Sequence, residues 1–307
     1  MKLVIHHHTR FRYSQPLLYT VQTLHLWPVS SACQSVEHWE LRVPGTLCSQ
    51  PDIEGNRVHS FSLSARPEKN LRENSVTARG TVVTHGVAEF TDPPTLPPPG
   101  FYLRSTPLAE PHPRMALWAV QTLPALMAAR ARGEAPSVAD LLALTNAVAD
   151  KVRYRKGQTG VDTTALEAFD WELGVCQDQA HVMVAVCRSI GLPARYVSGY
   201  FHAADEPELA SHAWVDVCLD ETQRRWISLD VTHRCPTDER HIRLAAATDY
   251  SACTPVKGLR RGGGEEDMSV DVRISLAPAR WSGPLDQGLD GLAQFDVLEL
   301  DHAVLLG

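Results

Sequence analysis

The feature that most constrains this chain is the segment holding Pro93, Pro94, Pro97, Pro98 and Pro99, closed by Gly100. Proline fixes φ and has no backbone N–H, so a run this dense can belong to neither a helix nor an inner strand. It must be a boundary, and the hydrophobic period differs on its two sides. Before it, apolar residues alternate with polar ones: Phe11 and Tyr13 between Arg10, Arg12 and Ser14, then Thr23–Trp27, Glu37–Val43, Val58–Leu63, Val76–Val83 and Val87–Phe90. Short alternating runs punctuated by Gly, Pro and Asn predict an antiparallel β-sandwich or barrel. We therefore read residues 1–92 as an N-terminal β-domain and 93–112 as a Pro-rich linker.

After the boundary the period lengthens. Met115, Leu117, Trp118, Leu123, Leu126 and Met127 recur at helical spacing between Pro113 and about Arg132, with a break at Pro124. Ser137 is a fitting N-cap for a second helix over Val138 to about Val152. A third runs from Cys176 to Ile190 and stops at Gly191-Leu-Pro193 in the expected way. Strand patterns then return over Ala194–Phe201, Ala213–Leu219, Trp226–Val231 and Met268–Leu276, while the stretch from Pro278 is weakly patterned. The expectation is an α+β core of helices on an antiparallel sheet, residues 113–307, including the C-terminal strands.

The net charge of −7 and the lack of a basic stripe argue against nucleic acid as a partner. No apolar run is long enough for a membrane helix. The first residues have no apolar core followed by a small-residue cleavage site, so no secretory leader is expected. With seven cysteines, an odd number, this predicts reduced thiols and a cytoplasmic location. No Cys-x-x-Cys pair occurs, and His6, His7 and His8 lie in a strand-like stretch whose neighbours point to opposite faces. No metal and no cofactor are expected.

One thiol differs from the rest. In Trp171-Glu-Leu-Gly-Val-Cys176-Gln-Asp, Cys176 opens an apolar helix, where free N–H groups and the helix dipole stabilise a thiolate and later an oxyanion. Its base must come from His181, His202, His212, His233 or His241. His181, five residues along the same helix, points away from Cys176 and reads as packing. His212, in Ser-His-Ala-Trp214-Val at the start of a strand, can reach the helix N-terminus. Asp230, closing Trp-Ile-Ser-Leu-Asp, can accept the other ring nitrogen and fix the tautomer. Asp178 is expected as a first-turn acid complementing the helix dipole, with a place in the substrate cleft as the alternative. Trp214 and His233 are further cleft candidates.

These blocks resemble the transglutaminase-like superfamily, the papain-like cysteine enzymes, in motif and order: Gly-Val-Cys176-Gln-Asp, Ser-His212-Ala-Trp-Val, and Trp-Ile-Ser-Leu-Asp230-Val-Thr-His, with spacings of 36 and 18 residues. Arg188–Tyr200 is similar to the family's helix-to-strand connection. Asp249-Tyr250, Pro255–Gly258, Arg261–Gly264 and the opening Thr9–Tyr13 resemble the family's bacterial branch, which carries an N-terminal β-domain. The resemblance implies a papain-like core, a Cys176-His212-Asp230 triad, and a thioester formed from a peptide or isopeptide amide. Hydrolysis by a protease or amidase is the favoured outcome. Transamidation of protein glutamine by an amine acceptor is the alternative, and a peptide-binding scaffold with little turnover is the rival from another class. A second oxyanion donor is implied, with Gln177, Trp171 and Tyr154 as candidates. The expected partner is a peptide or protein substrate.

Overall fold

The structure, a computed structural model, describes residues 1–64, 70–203 and 211–277. The weakly patterned stretch from Pro278 lies outside these residues. Seven strands come first: β1 Lys2–Tyr13, β2 Leu17–Trp27, β3 Gln34–Arg42, β4 Cys48–Pro51, β5 Arg57–Ser64, β6 Glu73–Thr84 and β7 Glu89–Thr91. A 3-10 turn, Pro99–Leu103, follows within the proline-rich segment. Then come α1 Pro113–Thr122, α2 Pro124–Ala131, α3 Val138–Lys151, β8 Arg153–Tyr154, α4 Ala165–Trp171, β9 Leu173–Gly174 and α5 Cys176–Ser189. The chain continues with β10 Ala194–Phe201, β11 Ser211–Asp220, β12 Arg225–Asp230, β13 Cys235–Pro236, β14 His241–Ala247, α6 Tyr250–Cys253, β15 Val256–Gly262 and β16 Glu266–Leu276.

The local signals act as expected. Pro124 starts α2 where α1 stops, because its ring cannot continue the α1 ladder. Ser137 accepts from the Asp140 N–H while Asp140 bonds back to Ser137, a capping box that fixes the start of α3. Helix α5 begins at Cys176.

The helices cover one face of a sheet ordered β13-β12-β11-β10-β14. Leu141, Leu144, Val148, Val184 and Val186 of the helices bury against Val215, Val217, Ile227 and Leu229. The fold is thus α+β, as expected. Two four-stranded antiparallel sheets, β16-β1-β6-β3 and β15-β2-β5-β4, form the β-sandwich. Its core, with Leu3, Ile5, Leu24, Trp39, Phe61 and Val82, also takes in Tyr200, Ile242 and Leu244 from the central sheet. All eight residues of β10 are therefore buried, lying between the helical layer and the sandwich.

Two segments lie where the sequence division did not put them. Strands β15 and β16, grouped with the core from their position in the chain, pair antiparallel with β2 and β1 and supply the edge strands of the sandwich. The register Leu3↔Leu276 to Tyr13↔Glu266 runs the whole length of β1. Conversely β7, grouped with the N-terminal domain, pairs with β12 through Phe90↔Trp226 and extends the core sheet. Alternation shows which face of a strand is buried but not which partner it has. The linker is itself docked: Arg188 of α5 donates to the carbonyls of Tyr102, Ala109 and Thr248. Arg195 of β10 is buried between Asp92 (2.7 Å) and Asp216 (2.8 Å), stacked over Trp226.

Candidate active site

Cys176 is the first residue of α5 and half-buried. Its N-cap, Val175, is extended and offers no side-chain cap. The cap comes from Asp178, whose Oδ2 accepts from the Val175 N–H (2.7 Å) and from the Thr159 hydroxyl (2.7 Å). A Cβ on Gly174 would lie 2.5 Å from the Asp178 Cβ, so glycine is required for the carboxylate to fold back. Burial raises the Asp178 pKa, opposed by the hydrogen bonds from Val175 and Thr159. Asp178 is thus a buried helix cap outside the cleft, which corrects its candidacy as a substrate contact.

His212, near the start of β11, and Asp230, the last residue of β12, are both buried, with His212 Nε2 and Asp230 Oδ2 2.8 Å apart. The other ring nitrogen, Nδ1, is buried with no hydrogen-bond partner. Burial alone would lower the His212 pKa. The charge and hydrogen bond of Asp230, with the Cys176 sulfur, outweigh it and raise the pKa, favouring the imidazolium. The sulfur is thus the neighbour for which Nδ1 is left. Burial would raise the Asp230 pKa, but the imidazoles around it hold it well below the usual range.

Asp230 is a hub. Its Oδ2 also meets His233 Nδ1 at 2.6 Å and His241 Nε2 at 2.9 Å, and its Oδ1 accepts the His233 N–H at 3.0 Å. The hub rests on Phe201, which stacks on His233 at 4.1 Å between ring centroids. His241 Nδ1 faces Asp238 at 3.1 Å. Among the expected cleft residues, His233 belongs to this hub and lies outside the cavity. Trp214 is buried against Val197, Ala246 and His241, also away from it. Gly199, paired with His212 across β10 and β11, makes room for Trp214: a Cβ there would lie 2.3 Å from its ring.

His212, Asp230, His233 and His241 also have the donor chemistry of a transition-metal site, with ligand atoms within 4.8 Å of one another. Two ligands about 2 Å from a tetrahedral ion lie roughly 3.3 Å apart. The 2.6–2.9 Å contacts to Oδ2 instead fit protons shared with a carboxylate.

A cavity of about 330 Å³ opens on Cys176 and His212. Gln177 and Tyr154 line it, and Gln177 spends one Nε2 proton on the Val161 carbonyl at 3.2 Å. Trp171, at the end of α4, is 50% exposed and outside the cavity, so it is not placed as an oxyanion donor. His181 is fully buried, accepts the Tyr250 N–H and packs on Tyr196, as its position on α5 predicted. Sequence reasoning singled out neither His241 as a hub member nor the sandwich residues His7, Thr9, Met268 and Val270 that line the cavity. For His241 the Asp-x-x-His pattern Asp238–His241 was a faint local signal. For the sandwich wall there was none.

The comparisons with known proteins agree with this architecture. Residues 125–231 match the core of the transglutaminase-like superfamily, and residues 3–83 match the bacterial transglutaminase-like N-terminal region. An uncharacterized protein of Mycobacterium leprae is 37% identical over 131 residues, covering 41% of this chain and 46% of that one. One from Mycobacterium tuberculosis is 33% identical over 153 residues, covering 47% of this chain and 48% of that one. The chain spans about half the length of these curated relatives. A Cytophaga hutchinsonii protein, described with its crystal structure as a candidate cysteine protease, superposes with a TM-score of 0.70 at 20% identity, covering 92% of each chain. That likeness speaks to fold. The chain carries a transglutaminase-like core joined to the N-terminal region of the bacterial transglutaminase-like proteins.

Proposed function

We propose that the protein is a cysteine-nucleophile amide hydrolase, a peptidase or amidase, acting through a Cys176 thioester. The observation that carries the reading is His212, held on one side by the buried Asp230 carboxylate, which raises its pKa, with Nδ1 left to accept the proton of the thiol at the start of α5. The thiol proton passes to Nδ1, and the thiolate attacks the amide carbonyl carbon. The developing oxyanion takes the Cys176 N–H and a second donor, for which Tyr154 and Gln177 are the candidates lining the cavity. His212 then returns the proton to the amine as the C–N bond breaks, leaving the thioester. A water, deprotonated by His212, attacks that carbonyl and releases the acid and the thiol.

An amine in place of water would give transamidation, so acceptor choice is the point to test. The protein is incubated with a peptide library and a primary amine and the products are weighed. Cleaved peptides support hydrolysis, amine-adducted peptides identify a transamidase, and an unchanged library refutes both. Iodoacetamide should alkylate Cys176 faster than the exposed Cys48 at neutral pH, and Cys176→Ala should abolish that fast labelling. We also propose a cytoplasmic location, because all seven cysteines are unpaired thiols, as a reducing compartment keeps them.

A further inference from the structure

The cavity at Cys176 has two walls from different parts of the chain. Cys176, Tyr196, Tyr200 and Leu244 belong to the catalytic-type core, whereas His7 and Thr9 of β1 and Met268 and Val270 of β16 belong to the sandwich. We propose that the sandwich builds the side-chain pocket of this site, and that the pocket selects a substrate residue, adjacent to the reacting carbonyl, with an uncharged apolar or aromatic side chain. This rests on Cys176 being the nucleophile.

Three observations on the wall support it. First, its polar groups are already paired: His7 Nδ1 meets the Tyr200 hydroxyl at 2.7 Å and His7 Nε2 meets the Thr9 hydroxyl at 2.9 Å. A pocket selects a polar ligand strongly when its own buried polar groups would otherwise go unpaired, and here they would not. Second, the wall carries no formal charge. His7 is fully buried, and burial, with His6 and His8 beside it, pushes its pKa down to about 3, so it is neutral at pH 7. The other exposed charges lining the cavity, Asp162 and Lys257, are of opposite sign, and Lys257 Nζ is donated to the Ser251 carbonyl at 3.1 Å. A charged side chain packed against the sandwich wall would lose its water with no counter-charge on that wall to meet it. Third, Leu244, Val256, Met268 and Val270 give the remaining surface an aliphatic character. At about 330 Å³ the cavity is at the small end of ligand sites, the size for one side chain and its backbone.

The test uses four peptidyl chloromethyl ketones identical except for Phe, Leu, Glu or Lys next to the reactive carbonyl. The rate of Cys176 alkylation by each is read by mass spectrometry on the full chain at pH 7. The Phe and Leu reagents should react at least tenfold faster than Glu and Lys. Met268→Lys should raise the Glu rate relative to Phe at least fivefold, and Val270→Trp should cut the Phe advantage by filling the pocket. Melting curves show whether each variant is folded, and the two variants act on the pocket in different ways. Rates within twofold of one another, a charged reagent reacting fastest, or an order unchanged in both folded variants would overturn the proposal. Iodoacetamide separates the two readings: if it alkylates Cys176 no faster than Cys48, the nucleophile fails, whereas a flat order among the ketones with a fast thiol sinks only the pocket.

Discussion

Asp230→Asn is the sharpest perturbation of the hub, since it keeps the shape and removes the charge. Three imidazoles converge on Oδ2, at 2.8, 2.6 and 2.9 Å. An amide oxygen accepts fewer bonds less strongly, and the amide NH2 would face ring N–H groups. Removing one partner from a buried charged network costs about 3–5 kcal/mol. In a chain of this size that is a fall in melting temperature of roughly 5–8 °C. The chemistry should suffer more, because His212 loses both the group that fixes its tautomer and the charge that raises its pKa. Loss of an orienting carboxylate of this kind costs on the order of 10⁴ in turnover. The assay pairs thermal melting with iodoacetamide alkylation of Cys176 from pH 5 to 9. We expect the rate at pH 7 to fall at least tenfold and its half-maximum to move to higher pH. A folded variant with an unchanged rate profile would refute the claim that Asp230 acts on the thiol through His212.

The same hub predicts a pH signature in stability. The His212 pKa is raised in the fold, so its contribution is complete below its ordinary 6.5 and is lost as pH climbs through the folded value. The Asp230 pKa is depressed, so its contribution is complete above its ordinary 3.8 and is lost as pH falls. Urea midpoints should therefore decline on both sides of a window between those values, and more weakly in Asp230→Asn. Glu54 has the opposite sign: burial and Asp52 raise its pKa from 4.5 to about 7, so Glu54→Gln should stabilise above pH 7, by up to about 3 kcal/mol, and change little near pH 4. Gly199→Ala should cost about 1–3 kcal/mol or more, because its Cβ would lie 2.3 Å from the Ile242 carbonyl and from Trp214; a melting temperature within a degree of the parent would contradict that. Arg195→Met leaves Asp92 and Asp216 short of a buried partner and should cost about 3–5 kcal/mol by urea unfolding.

What the sequence determined by itself was short-range. The change of period at the prolines, the break at Pro124, the cap at Ser137 and the start of α5 at Cys176 are each decided within a few residues, where capping and backbone sterics act. The order Cys176, His212, Asp230 carried the resemblance, and the fold brings His212 and Asp230 to 2.8 Å. The first-turn role of Asp178 was legible for the same reason: its partner, the Val175 N–H, is three residues away.

Tertiary structure decided which distant segments meet. Burial alternates along β16 whatever its partner, so only packing could pair it with β1 and close the sandwich around the far end of the chain. That pairing sets Met268 and Val270 beside His7 and Thr9, with Tyr200 reaching across from the core, and makes a cavity wall of residues that look like ordinary strand interior in sequence. In the central sheet, the pairing of β14 with β10 brings His241, eleven residues from Asp230, onto the same carboxylate oxygen, while Trp171, five residues from Cys176, stays half exposed at the end of α4. Nearness along the chain fixes caps and turns. Nearness in space, which the burial of apolar area by whole sheets sets, fixes what surrounds the thiol.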